Sequence, residues 1–151
     1  MNPEIKLEYY ENGSIKRESY YLNNFHRENS PAIISYYENG KVKEEWYYLN
    51  GEICRENGPA IIWYDNNGKI KNEFYYFNGS KINSLAYYNN GKIKSKFYFL
   101  NNKFHRIDGP AIIDYYKNGD IKRERYRLNG IKCDILQEIV IKGLEIEKSI
   151  K

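Results

Sequence analysis

The sequence contains no threonine, only two cysteines (Cys54 and Cys133), two histidines, four prolines and one methionine in 151 residues. Two thiols make no disulfide framework and are too few for a thiol-based zinc module. No run of 18 uncharged apolar residues occurs, and Met1 is followed by the polar Asn2-Pro3-Glu4. Neither a transmembrane helix nor a secretory leader is therefore expected, and the default location is intracellular. Gly-x-Ser-x-Gly, His-Glu-x-x-His and phosphate-cradling glycine loops are all missing, which points away from an enzyme: no catalytic residue and no cofactor is expected. Length allows one domain with one core.

The mean hydropathy of -0.83 is low for a protein with a deep core. The apolar surface comes instead from aromatics. Seventeen Tyr, six Phe and two Trp make 17% of the chain, and each covered ring removes about 150–250 Å² from water. Such a load holds a thin sheet together.

The chain repeats itself. Tyrosine followed by Asn-Gly recurs at Tyr9-Tyr10-Glu11-Asn12-Gly13, Tyr36-Tyr37-Glu38-Asn39-Gly40, Tyr64-Asp65-Asn66-Asn67-Gly68, Tyr87-Tyr88-Asn89-Asn90-Gly91 and Tyr115-Tyr116-Lys117-Asn118-Gly119, with glycine steps of 27, 28, 23 and 28. A second turn follows each, at Asn23-Asn24, Asn50-Gly51, Asn78-Gly79, Asn101-Asn102 and Asn129-Gly130. Asn-Gly favours type I′ hairpins, in which both central residues take positive φ. Each unit then reads as two antiparallel strands. Strict alternation puts Tyr20, Tyr47, Tyr75, Tyr98 and Tyr126 on one face with Leu22 and its equivalents. The other face takes Ile15, Val42, Ile70, Ile93 and Ile121 together with Tyr21, Tyr48, Tyr76 and Phe99.

The expected fold is all-β: an elongated, open antiparallel β-meander of about five two-stranded repeats over residues 1–133, about ten strands in all. Strands spaced about 4.8 Å apart advance such a sheet by roughly 10 Å per repeat. Three units also carry an insert, Phe25 to Ile34, Ile53 to Ile62 and Phe104 to Ile113, each broken by a proline that a central strand does not accept. The 23-residue unit lacks it, so the insert is expected as a bulge or side loop. Residues 134–151 depart from the pattern and are expected to cap the last edge, as a helix or as a degenerate hairpin.

The string Tyr-Tyr-x-Asn-Gly-x-Ile-Lys-x-Glu-x-Tyr-Tyr-x-Asn-Gly resembles the MORN-repeat variant family, which includes proteins labelled as antitoxin components. The His-Arg-x-Asp-Gly-Pro-Ala insert of Phe104 to Ala111 is similar to a subtype common in repeat proteins of large DNA viruses, which would place the chain in the host cytoplasm or a virion. The likeness spans about residues 4–133. It implies an extended all-β scaffold that binds proteins. The units are longer and poorer in glycine than ordinary MORN repeats, which argues against carrying over lipid binding.

Three residue sets bear on function. His26, Cys54, His105 and Cys133 share one unit position, but equivalent positions in adjacent units stand roughly 10 Å apart, too far for one zinc ion with ligands at about 2.0–2.3 Å. No metal is expected, and Arg27, Arg55 and Arg106 beside them are expected to bridge to a carboxylate or carbonyl. Trp46, Tyr48, Trp63 and Tyr76 are candidate anchors of an aromatic face that binds a protein partner, with face-to-face homodimerisation as one outcome. Arg123, Arg125 and Arg127 alternate where earlier units place mostly aromatics, in a stretch (91–133) with 11 basic and 4 acidic side chains. They either read phosphates, making the protein a nucleic-acid or acidic-surface binder, or pair with Glu138, Glu145 or Glu147 of the tail. An antitoxin-like inhibitor of a partner protein is a special case of the protein-binding reading.

Overall fold

The computed structural model describes residues 4–133. The expected cap at 134–151 therefore lies outside the described residues. Sixteen strands are formed: β1 (Glu4–Tyr9), β2 (Ile15–Leu22), β3 (Asn24–Phe25), β4 (Ile33–Tyr36), β5 (Val42–Trp46), β6 (Tyr48–Leu49), β7 (Glu52–Ile53), β8 (Ile61–Tyr64), β9 (Ile70–Phe77), β10 (Ser80–Tyr87), β11 (Ile93–Leu100), β12 (Lys103–Phe104), β13 (Ile112–Tyr115), β14 (Ile121–Arg125), β15 (Arg127–Leu128) and β16 (Ile131–Lys132). There is no helix among the described residues. Ten strands run in one antiparallel path, β1-β2-β4-β5-β8-β9-β10-β11-β13-β14, with β3 beside β2 and β12 beside β11. The sheet does not close. The pairs β6-β7 and β15-β16 are separate short hairpins.

The two kinds of turn differ. At four of the five second turns both central residues take positive φ, as at Asn50 (52°) and Gly51 (86°) or Asn129 (50°) and Gly130 (85°), the geometry that Asn-Gly favours, whereas at Asn23-Asn24 only Asn23 does. At the first turns only the glycine does: Gly13 sits at 81° while Asn12 keeps ordinary φ. Gly13 N–H closes the turn on Tyr10 O at 3.0 Å, and the Asn12 side chain accepts from Ser14 N–H at 2.9 Å. Asparagine serves there through its side-chain oxygen and not through its backbone.

A second departure follows each first turn. Pairing skips one residue, so that Glu8 faces Arg17 but Tyr9 faces Ile15, and the same shift recurs in all five units. The extra residue is always lysine: Lys16, Lys43, Lys71, Lys94 or Lys122. A bulge of this kind reverses which face the following residues occupy. Val42 thus lies with Tyr36, whose hydroxyl reaches Glu18. The isoleucine row expected on the Tyr21 side belongs to the Tyr20 side.

Inserts sit as expected, between the second strand of one unit and the first strand of the next. Where the insert is missing, β9 and β10 form one continuous hairpin with a single register shift between Lys81 and Asn83. Within each insert an alanine (Ala32, Ala60 or Ala111) is fully buried. The carbonyls of these alanines accept from Tyr20, Tyr47 and Tyr98 N–H at 2.8 Å.

The core is one residue thick. A cross-strand row runs Ser19, Ile33, Trp46, Ile61, Phe74, Ser84, Phe97, Ile112 and Arg125. Ile33, Ile61 and Ile112 are buried, as are Ser19 and Ser84, while no large side chain among the described residues is wholly enclosed. Small residues beside bulky ones let the row interdigitate. Units are also stitched at their turns. Tyr10, Tyr37 and Tyr88 hydroxyls donate to the carbonyls of Tyr36, Tyr64 and Tyr115 at 2.7–2.9 Å. Lys41, Lys69 and Lys92 reach carbonyls of the next turn at 2.8–3.2 Å.

Candidate protein-binding face

The register assigns three of the four expected aromatic anchors to one face, and ring contact with Trp46 joins Tyr48 to them. Trp46 pairs with Ile61, which pairs with Phe74. Trp63 lies two residues beyond Ile61, and Tyr76 two beyond Phe74, on the same side of the sheet. The Tyr48 ring stacks near-parallel to Trp46 with centroids 6.4 Å apart, and Trp63 meets Phe74 edge-on at 4.8 Å. Trp63 remains 40% exposed. It borders a hollow of about 220 Å³ shared with Tyr37, Lys43, Glu44, Tyr64 and Lys71, so an exposed indole is flanked by two lysine side chains.

The opposite face is a tyrosine–carboxylate ladder, which the sequence alone did not single out. Glu18 accepts from Tyr20 and Tyr36 at 2.9 Å. Glu45 accepts from Tyr64 at 2.9 Å. Glu73 accepts from Tyr75 and Tyr87. The signal was visible as a glutamate five residues after Gly13, Gly40 and Gly68. Burial first, then the adjacent glutamate, pushes the phenols of Tyr36 and Tyr87 above their ordinary range. The same holds for Tyr64, where burial leads and Glu45 adds to it. In the fourth unit Lys96 takes the glutamate's place, 5.8 Å from the Tyr115 ring centroid.

The inserts use their arginines as internal staples. Arg27, Arg55 and Arg106 lie over the rings of Tyr20, Tyr47 and Tyr98 at 3.9–4.2 Å. Arg27 and Arg55 donate to the carbonyls of Pro31 and Pro59 at 3.4 and 3.3 Å, and Arg106 pairs with Asp108 at 2.9 Å. His26 and His105 accept the N–H of Asn50 and Asn129 at 3.2 and 3.1 Å, each bracing the next short hairpin. Cys54 and Cys133 remain free thiols. Among the described residues no group of three or more His, Cys, Asp or Glu is placed to hold a metal ion. A wider hollow of about 500 Å³ separates the first two inserts, walled by Arg27, Tyr48, Cys54 and Arg55. Its guanidinium groups are already committed to a ring and a proline carbonyl, which makes it a groove between two stapled loops.

The three C-terminal arginines part company. Arg123 is exposed and lies opposite Asp114. Arg125 forms a half-buried ion pair with Asp114 at 2.6 Å. Arg127 begins β15, beyond the break at Tyr126, and donates to the Tyr126 carbonyl at 3.1 Å. Their expected alternative partners, Glu138, Glu145 and Glu147, lie outside the described residues.

The family profile described as MORN repeat variant matches residues 5–23, 33–50, 61–80 and 83–101. Together these segments cover half of the chain. The chain belongs to the MORN repeat variant family. Each matched segment starts in the first strand of a unit and runs through its second strand, and the structure adds a fifth MORN unit, β13-β14, with the same bulged register. MORN repeats are non-catalytic modules that bind proteins or membranes. No helix of the described residues is long and apolar enough to cross a membrane. No curated protein and no solved structure matches the chain.

Proposed function

We propose that this MORN repeat protein is a scaffold that binds a partner protein through the sheet face carrying Trp46, Trp63, Tyr48 and Tyr76. The observation that carries the reading is Trp63: a tryptophan 40% exposed in a central strand, beside a hollow edged by Lys43 and Lys71. Aromatic residues next to a concavity are the commonest dominant contributors at protein interfaces. The two lysines favour a partner segment with an acidic or polar rim around an apolar anchor. An antitoxin-like inhibitor would use the same face.

The test compares capture of partners from the native source by the parent protein, Trp63→Ala and Phe77→Ala. Phe77 is more exposed still, at 66%, but stands at the tip of the β9-β10 hairpin away from the hollow. Trp63→Ala is expected to weaken capture of the specific partner by more than about tenfold while Phe77→Ala leaves it unchanged. Equal capture by all three proteins would refute the assignment of this face.

A further inference from the structure

The two edges of the sheet are unmatched halves of the same joint. Inside the chain, the second strand of each unit pairs with the first strand of the next in one register, as Arg17 with Ser35 and Glu18 with Ile34. Two side-chain bonds seal that joint. A first-strand tyrosine of the later unit donates to a second-strand glutamate of the earlier one, as Tyr36 to Glu18 and Tyr64 to Glu45. A turn tyrosine of the earlier unit donates to a first-strand carbonyl of the later one, as Tyr10 to Tyr36 and Tyr88 to Tyr115.

At the edges, each half stands alone among the described residues. On β14, Glu124 occupies the position of Glu18, is exposed and has no hydrogen-bonded tyrosine. On β1, Tyr9 occupies the position of Tyr36, is 56% exposed and has no glutamate. Tyr116, the equivalent of Tyr10 in the last unit, is 51% exposed with no carbonyl to meet. Among the described residues no strand pairs with the outer side of either, the condition that templates pairing with another chain.

We propose that copies of this chain add head to tail, β14 of one pairing antiparallel with β1 of the next in the register that joins its own units. That register sets Arg123 opposite Glu8 of the neighbour, so the row reads Asp114, Arg123, Glu8, Arg17 with alternating sign across the seam. Glu124 falls opposite Leu7 and within the same reach of Tyr9 that Glu18 has of Tyr36. Strand charges agree: β1 carries Glu4, Lys6 and Glu8, whereas β14 carries Lys122, Arg123, Glu124 and Arg125. The one like-signed contact, Arg125 opposite Lys6, is offset by the ion pair that Arg125 already makes with Asp114. One link of the internal joint has no counterpart: Asp120 stands where Lys41, Lys69 and Lys92 reach forward. The seam is heterologous, so it propagates into longer assemblies or a ring and does not stop at a two-fold dimer.

Sedimentation velocity and light scattering of the full chain over a wide concentration range test this. The expected result is a mass that climbs past the dimer as concentration rises. Glu8→Arg and Arg123→Glu, each folded by circular dichroism, should each weaken association by about tenfold or more, and the double variant should restore it by exchanging the charges. Tyr116→Phe, which removes one hydroxyl and no packing, should weaken it measurably. A monomer at every concentration, a dimer that grows no further, or single charge reversals that change nothing would each overturn the proposal.

Discussion

Above about pH 10 this protein is expected to lose stability steeply. Eight tyrosines, at positions 20, 36, 47, 48, 64, 75, 76 and 87, have phenols held above their ordinary value by burial, several with a glutamate adding to it. A phenol whose value is raised by folding keeps its proton in the native state while the unfolded chain gives it up near pH 10. The unfolded state then binds fewer protons, so stability is fully present below about pH 10 and falls as pH climbs toward the folded values. Each such ring costs up to about 1.4 kcal/mol per pH unit in that window, less where solvent screens it. Tyr36, Tyr64 and Tyr87 are raised most, and half of that over these three rings is about 2 kcal/mol per pH unit, a large fraction of the stability of a domain. Circular dichroism and tyrosinate absorbance followed together should show one cooperative step. Tyrosines that ionise gradually while the sheet persists would disprove the buried ladder.

Ile61→Asp is expected to abolish folding. Ile61 is 3% exposed between Trp46 and Phe74 in the middle of the sheet. With a single layer there is no second shell into which the carboxylate can turn, and an unpaired buried charge costs more than about 4 kcal/mol. Ile5→Asp makes the same chemical change on β1, where the side chain is 55% exposed, and should cost less than about 1 kcal/mol. Urea denaturation of the two variants checks both values. Equal losses would mean that the core is not where the register puts it.

The Asn-Gly pairs and their spacing made the unit boundaries, the strand count along the main path and the antiparallel order legible, because turn chemistry is local. Lys16 and its four equivalents were the blind spot. A bulged residue reads like any exposed strand position, and nothing in an alternating pattern marks that its partner strand offers only one residue to two. Misreading it sent the isoleucine row to the wrong face. The Arg125 partner was hidden for a related reason: Asp114 is 11 residues upstream, and only the register brings them within 2.6 Å. By contrast β5, β8 and β9 keep strict alternation beyond the bulge, so Trp46, Trp63 and Tyr76 fall on one side of the sheet.

Deleting one whole unit tests the central claim, that equivalent ribbons stack and touch only their neighbours. Removal of Tyr36–Trp63 joins Ser35 to Tyr64, which follow each other in the repeat just as Ser35 and Tyr36 do, so every remaining strand keeps a partner in the same register. A shortened chain that still unfolds cooperatively, with unchanged β content per residue and lower stability, is the predicted result. An unfolded chain would contradict it, because a fold built on contacts between distant units would not survive the loss.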